Sequence, residues 1–171
     1  RMTPSAASSL NSSHLARPQG DGLYLIDTDY VRPGLAASHL LVDDGHAAFI
    51  DTGTGLAAPK LLGALDELGI AREQVDYLFL THVHLDHAGG AGQLMQTLPN
   101  AKAVLHPRGA PHLIDPARLI AGSIAVYGNE VYRQLYGEIL PIPADRVLLA
   151  EDGLRLELGS RTFEFIDAPG H

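Results

Sequence analysis

Three imidazoles and a carboxylate fall within six consecutive positions, His82-Val83-His84-Leu85-Asp86-His87, directly after the apolar run Leu78-Phe79-Leu80 and just before Gly89-Gly90. No other feature of the chain restricts its architecture as much. The apolar run reads as the end of a buried strand, and side chains on extended backbone repeat with period two, so His82 and His84 point the same way. They can grip one ion together. Asp86 and His87 follow where the chain must turn toward the glycines, which lets them approach a second ion from another direction. The segment calls for a fold in which a buried strand ends at an open edge with room for one or two metal ions.

The chain has no cysteine, so a metal here is held by nitrogen and oxygen donors and no disulfide braces the fold. Its 171 residues, 46% of them hydrophobic, suffice for one sizeable core, and that length favours a single domain. A formal net charge of -8 without a Lys/Arg cluster argues against a nucleic-acid groove, which needs a basic footprint. A small-molecule substrate is the expected partner. No apolar stretch approaches a membrane span, and the N-terminal segment lacks the continuous apolar core of a secretion signal, so no membrane partner and a cytoplasmic location are expected. Oligomeric state is not written in the sequence. Residues 1–20, rich in Ser, Ala and Pro with no acidic residue, read as a flexible arm that leaves 21–171 as the domain.

Along that domain, residues 23–26 and 38–42 read as strands, and Asp43-Asp44-Gly45-His46 makes a hairpin turn into a third strand at 47–50. Pro59 suits a first helical turn, Leu61, Leu62, Leu65 and Leu68 recur at helical spacing, and Gly69 closes the segment. A strand at 75–80 delivers the histidine loop, a short helix is expected at 93–98 and another strand at 101–105. Residues 116–140 read as helical with an interruption at Gly128-Asn129. There Ile120, Ile124, Tyr127, Val131 and Leu135 form an apolar seam that Tyr132 and Tyr136 widen. Leu154, Leu156 and Leu158 alternate with Arg155 and Glu157 before the Gly159-Ser160 turn and Phe163-Glu164-Phe165, a second hairpin. Strands with helices on their flanks imply a layered α/β arrangement.

The string Thr81-His82-x-His84-x-Asp86-His87, closed by Gly89-Gly90, resembles the signature of the metallo-β-lactamase superfamily. Phe49-Ile50-Asp51-Thr52-Gly53 and Asp167-Ala168-Pro169-Gly170-His171 agree with it in order and context. The resemblance covers roughly residues 23–171 and implies an αββα sandwich, an α/β (α+β) fold with the site at one edge between two sheets. It also implies that His82, His84 and His171 ligate one ion, that Asp86 and His87 serve a second, and that Asp51 supports them from beneath. In relatives, a bridging Asp and a further His come from the half that follows, so the chain is expected to be the N-terminal part of a longer protein, its domain incomplete at the C-terminus.

Imidazole and carboxylate suit one or two Zn²⁺ ions, with iron or manganese as the other metals this donor set admits. The reaction expected is attack of metal-bound hydroxide on the carbonyl of an ester, thioester, lactone or amide, with Asp86 as the catalytic residue that orients the nucleophile or shuttles its proton. Two rival classes stay open: an iron-dependent oxidoreductase of the same fold, resembling sulfur dioxygenases, and a noncatalytic ligand-binding protein. Elsewhere, His106 before Pro107 reads as structural rather than functional. Gly89, Gly90 and Gly92 lack the rest of a nucleotide fingerprint and read as close packing behind the loop. The tyrosines at 127, 132 and 136 read as core, with a lid over the site as the alternative.

Overall fold

The computed structural model describes residues 14–32 and 34–166. Two antiparallel hairpins open the fold: β1 (Arg17–Gly20), β2 (Leu23–Asp27), β3 (Ala37–Asp43) and β4 (His46–Ile50). The chain then crosses over through α1 (Ala58–Leu68) to β5 (Val75–Phe79), which lies parallel to β4. Next come α2 (Leu85–Ala88), α3 (Ala91–Thr97) and β6 (Lys102–Leu105), again parallel. Helices α4 (Ala110–Ile114), α5 (Ala117–Tyr127) and α6 (Asn129–Tyr136) lead to β7 (Val147–Leu149), which completes a seven-stranded sheet in the order β1 to β7. Strands β8 (Arg155–Leu158) and β9 (Arg161–Glu164) form a separate hairpin.

The period of two divides the sheet's residues between two cores. Leu40, Phe49, Leu78, Ala103 and Leu105 face the helices and pack with Leu61 and Leu65 of α1 and Leu94 and Met95 of α3. Leu41, Ala48, Phe79 and Val104 face the other way, against Leu158 and Phe163 of the second hairpin. Phe79 has ring contacts with Phe163 at 5.4 Å and Phe165 at 5.9 Å between centroids. Each fully buried Phe or Leu of this kind contributes roughly 1.5–3 kcal/mol. Helices, sheet and hairpin thus supply three successive layers of the expected αββα arrangement.

Helix α1 shows how local chemistry sets these elements. Pro59 occupies its first turn, Leu61, Ala64 and Leu65 are buried, and Gly69 ends it with a φ of 69°. The Gly69 N–H donates to the Asp66 carbonyl at 3.2 Å and Ile70 N–H to Leu65 at 2.8 Å, the paired closure that a left-handed residue permits.

Several expectations change. Residues 14–20, read as part of the arm, are joined to the domain: β1 pairs with β2, Ala16 is buried, and Glu67 accepts hydrogen bonds from the Leu15 and Ala16 N–H groups. Pro18 and Gly20 hid this strand, since both are tolerated at a sheet edge. The helical stretch ends at Tyr136 instead of 140, because Gly137 turns away at φ 68°. The apolar seam also shifts. Tyr132 and Tyr136 are buried with Leu85 of α2, whereas Tyr127 and Val131 are exposed.

Candidate metal centre

Strands β4, β5 and β6 are parallel neighbours, so the segments leaving their C-terminal ends meet at one edge, the place where parallel sheets present ligands. Asp51 leaves β4 in the left-handed region, with φ 57°. A non-glycine residue there costs roughly 1 kcal/mol or more and persists only where its surroundings hold it. Here they do. Asp51 N–H donates to the Phe79 carbonyl at 2.8 Å, and the buried Ser38 hydroxyl donates to the Asp51 carbonyl at 2.7 Å.

This backbone aims the Asp51 carboxylate at the end of β5. Its Oδ1 accepts the Thr81 N–H at 2.9 Å and its Oδ2 the Thr81 hydroxyl at 2.6 Å. A carboxylate only accepts, and a hydroxyl has one proton to give. With that proton directed to Asp51, Thr81 Oγ1 is the acceptor in its 2.9 Å contact with His82 Nδ1. His82 then carries its proton on Nδ1 and presents Nε2 as a free lone pair. The relay Asp51–Thr81–His82 fixes the tautomer a metal ligand needs.

The helix that follows is tied to the same turn. The N–H groups of Thr52 and Gly53 both donate to the His87 carbonyl, at 2.7 and 3.1 Å, and Gly90 N–H donates back to the Gly53 carbonyl at 2.8 Å. Gly90 allows this approach: a Cβ there would lie 2.7 Å from the Thr54 carbonyl oxygen. On the far side, Leu85 anchors α2 among Tyr132, Tyr136 and Ile139. Tyr136 stacks on Tyr30 with centroids 5.9 Å apart and hydroxyls at 3.2 Å, and burial pushes its hydroxyl pKa up, keeping it neutral.

These supports gather the side chains. Asp51, His82 and His87 each place one donor atom within 4.8 Å of the others. His87 Nδ1 lies 3.6 Å from Asp51 Oδ2, and His87 Nε2 lies 3.4 Å from Asp86 Oδ2. The His84 ring faces that of His82, 6.0 Å away and nearly parallel at 10°, while the His87 ring is 5.2 Å from His82. His171 lies outside the described residues. Donors around a tetrahedral ion with bonds of about 2.0–2.1 Å sit roughly 3.3 Å apart. The nitrogen and oxygen donors gathered here are of the kind that suit Zn²⁺ or a similar ion.

Sequence reasoning placed Asp51 beneath the site, and one of its carboxylate oxygens lies within 4.8 Å of a ring nitrogen of His82 and of His87. It missed Thr81 as the relay to His82, although an Asp and a Thr each at the end of a parallel strand carry the signal. His106, Arg108 and His112 line a groove of about 320 Å³ that also takes in Thr81, His82 and Val83.

Comparison with known proteins agrees with this fold. The family description "Metallo-beta-lactamase superfamily" matches residues 31–171. An uncharacterized protein of Mycobacterium leprae (strain TN) is 30% identical over 125 residues, which is 73% of this chain and 52% of that protein. Among solved structures, a Cronobacter sakazakii metallo-beta-lactamase with a HARLDQ motif superposes with a TM-score of 0.67 at 23% identity, covering 92% of this chain and 54% of that one. A subclass B3 metallo-beta-lactamase of Bradyrhizobium japonicum gives 0.64 at 21% identity, over 98% and 56%. The chain spans about half the length of these relatives.

Proposed function

The chain belongs to the metallo-beta-lactamase superfamily, and from that premise we propose that it is a metal-dependent hydrolase of small carbonyl compounds: esters, thioesters, lactones or amides. The observation that carries this reading is the convergence of Asp51, His82 and His87, with Asp86 and His84 beside them, at one edge of the parallel strands. In this proposal His82 and His84, with His171, hold one ion, and Asp86 and His87 hold a second. Zinc bound there would lower the pKa of a water to about 7 and polarise the carbonyl under attack.

The protein's own side chains have separate tasks. Thr81 and Asp51 keep the proton of His82 on Nδ1, as the hydrogen bonds require. The backbone clasp on the His87 carbonyl ties α2, and with it Asp86 and His87, to the turn that follows β4. In the same proposal Asp86 orients the attacking water and takes its proton, a role for which hydrogen-bond reach is the first requirement.

The test combines metal analysis with a panel of esters, thioesters and lactones, with oxygen uptake followed in parallel. A zinc-loaded protein that hydrolyses members of the panel without consuming oxygen supports the proposal. Oxygen consumption without hydrolysis would replace it with the oxidoreductase reading, and metal binding without turnover of either kind with a binding protein.

A further inference from the structure

The groove beside His82 carries a chemistry that the metal centre does not require. Its floor is apolar, made by Leu80, Val83 and Leu105, and its polar wall is His106, Arg108 and His112. No carboxylate lines it among the described residues, although the chain has a net charge of -8. Four of the ten other described Lys and Arg residues are engaged: Lys60 with Asp29, Arg72 with Asp66, Arg161 with Asp43, and Arg146 with main-chain carbonyls. Arg108 makes no ion pair among the described residues.

Position distinguishes Arg108 from an ordinary solvated arginine. It sits three residues beyond the end of β6, on the same sheet edge as Thr81 and His82. Its N–H donates to His106 Nδ1 at 3.1 Å, which holds the two residues in one tight turn. The guanidinium is a planar fork that fits two oxygens of an anion at once. At about 320 Å³, the groove accommodates one compact group.

We propose that this groove binds a compact anionic group of the substrate, a carboxylate or a phosphate, through Arg108 and His112, and so selects anionic substrates. The inference rests on the hydrolase reading for the reaction but not for the binding. The carbonyl to be cleaved lies on the His82 side of the anion, because His82 belongs both to the groove and to the metal cluster.

The experiment has two arms. With zinc-loaded protein, hydrolysis of 4-nitrophenyl hemisuccinate is compared with that of neutral 4-nitrophenyl butyrate. Arg108→Met is expected to lower the anionic-to-neutral ratio of kcat/KM by about 10- to 100-fold, the size of losing a charge-assisted hydrogen bond. Arg118→Met, on α5 outside the groove, leaves that ratio unchanged. With metal-free protein, succinate and inorganic phosphate are titrated separately while the histidine ring NMR signals are followed. The signals of His106 and His112 shift in the parent and stay in place in Arg108→Met, and the probe acting at lower concentration identifies the group.

A ratio unaffected by Arg108→Met, or ring signals that ignore both anions, overturns the inference even if both esters are cleaved. Anion binding that needs Arg108, in a protein that cleaves neither ester, upholds the subsite and removes the hydrolase reading.

Discussion

The base of the centre and the groove beside it are built in opposite ways. At the base, Asp51, Thr81, Thr52 and Gly53 use both side-chain and main-chain groups in mutual hydrogen bonds, and Ser38 and Thr52 are fully buried. In the groove, His106, Arg108 and His112 are exposed. The difference separates two requirements. Holding imidazoles in one tautomer and one orientation needs a saturated, rigid foundation, whereas choosing a substrate needs side chains that solvent, and then ligand, can reach.

The contrast breaks most severely at Asp51. Asp51→Ala leaves the Thr81 N–H and hydroxyl without their acceptor and puts alanine at φ 57°, so unfolding by urea is expected to show a loss of about 2–4 kcal/mol together with loss of bound zinc. Asp51→Asn separates the two effects. Asparagine tolerates left-handed backbone and still accepts the Thr81 N–H, so more stability than metal is retained.

Gly90→Ala tests the clasp. Its Cβ meets the Thr54 carbonyl, the helix must shift, and about 1–3 kcal/mol is expected to be lost, with weaker zinc binding measured by chelator competition. Gly109→Ala probes the link between the two regions. A Cβ at Gly109 would lie 2.4 Å from Val83 Cγ1, and Val83 stands between His82 and His84. A change in the groove should therefore reach the ligands: zinc affinity falls while stability changes by about 1 kcal/mol.

His84→Ala inverts the pattern seen at Asp51. The residue is exposed, so stability changes by less than about 0.5 kcal/mol, while zinc content and turnover fall together. The smallest effect lies far from both regions. Asp43 accepts hydrogen bonds from the Ser160 hydroxyl and N–H, each at 2.6 Å, with Arg161 alongside, and these partners hold its carboxyl below the usual carboxylate range. A folded pKa below the unfolded one stabilises above the unfolded value and is lost as pH falls through the folded one. Asp43→Asn should lower stability slightly at neutral pH, where the charged carboxylate contributes, and flatten the acid limb of the stability curve below about pH 4.

Much of this was legible from residues alone. Short apolar runs and a hairpin turn located β2 to β6, period-two alternation located the second hairpin, and Pro59 with Gly69 marked the ends of α1. The histidine string announced a metal site because its donors are local. What stayed hidden depends on partners distant in sequence. Thr81 looks like any strand-end threonine until Asp51, 30 positions earlier, takes its proton and leaves its oxygen to His82. Arg146 is a plain polar residue until it gathers the carbonyls of Met95, Leu98 and Ala101 at the end of α3. Strand β7, three residues long, offers too short an alternation to read.

Anomalous diffraction at the zinc edge from crystals of the zinc-loaded protein tests the central claim most directly. A peak about 2.0–2.1 Å from His82 Nε2 or a His87 ring nitrogen, with His82 Nδ1 still on Thr81 Oγ1, is the predicted result. Rings pointing apart with no peak between them, or zinc bound only elsewhere on the chain, would contradict it.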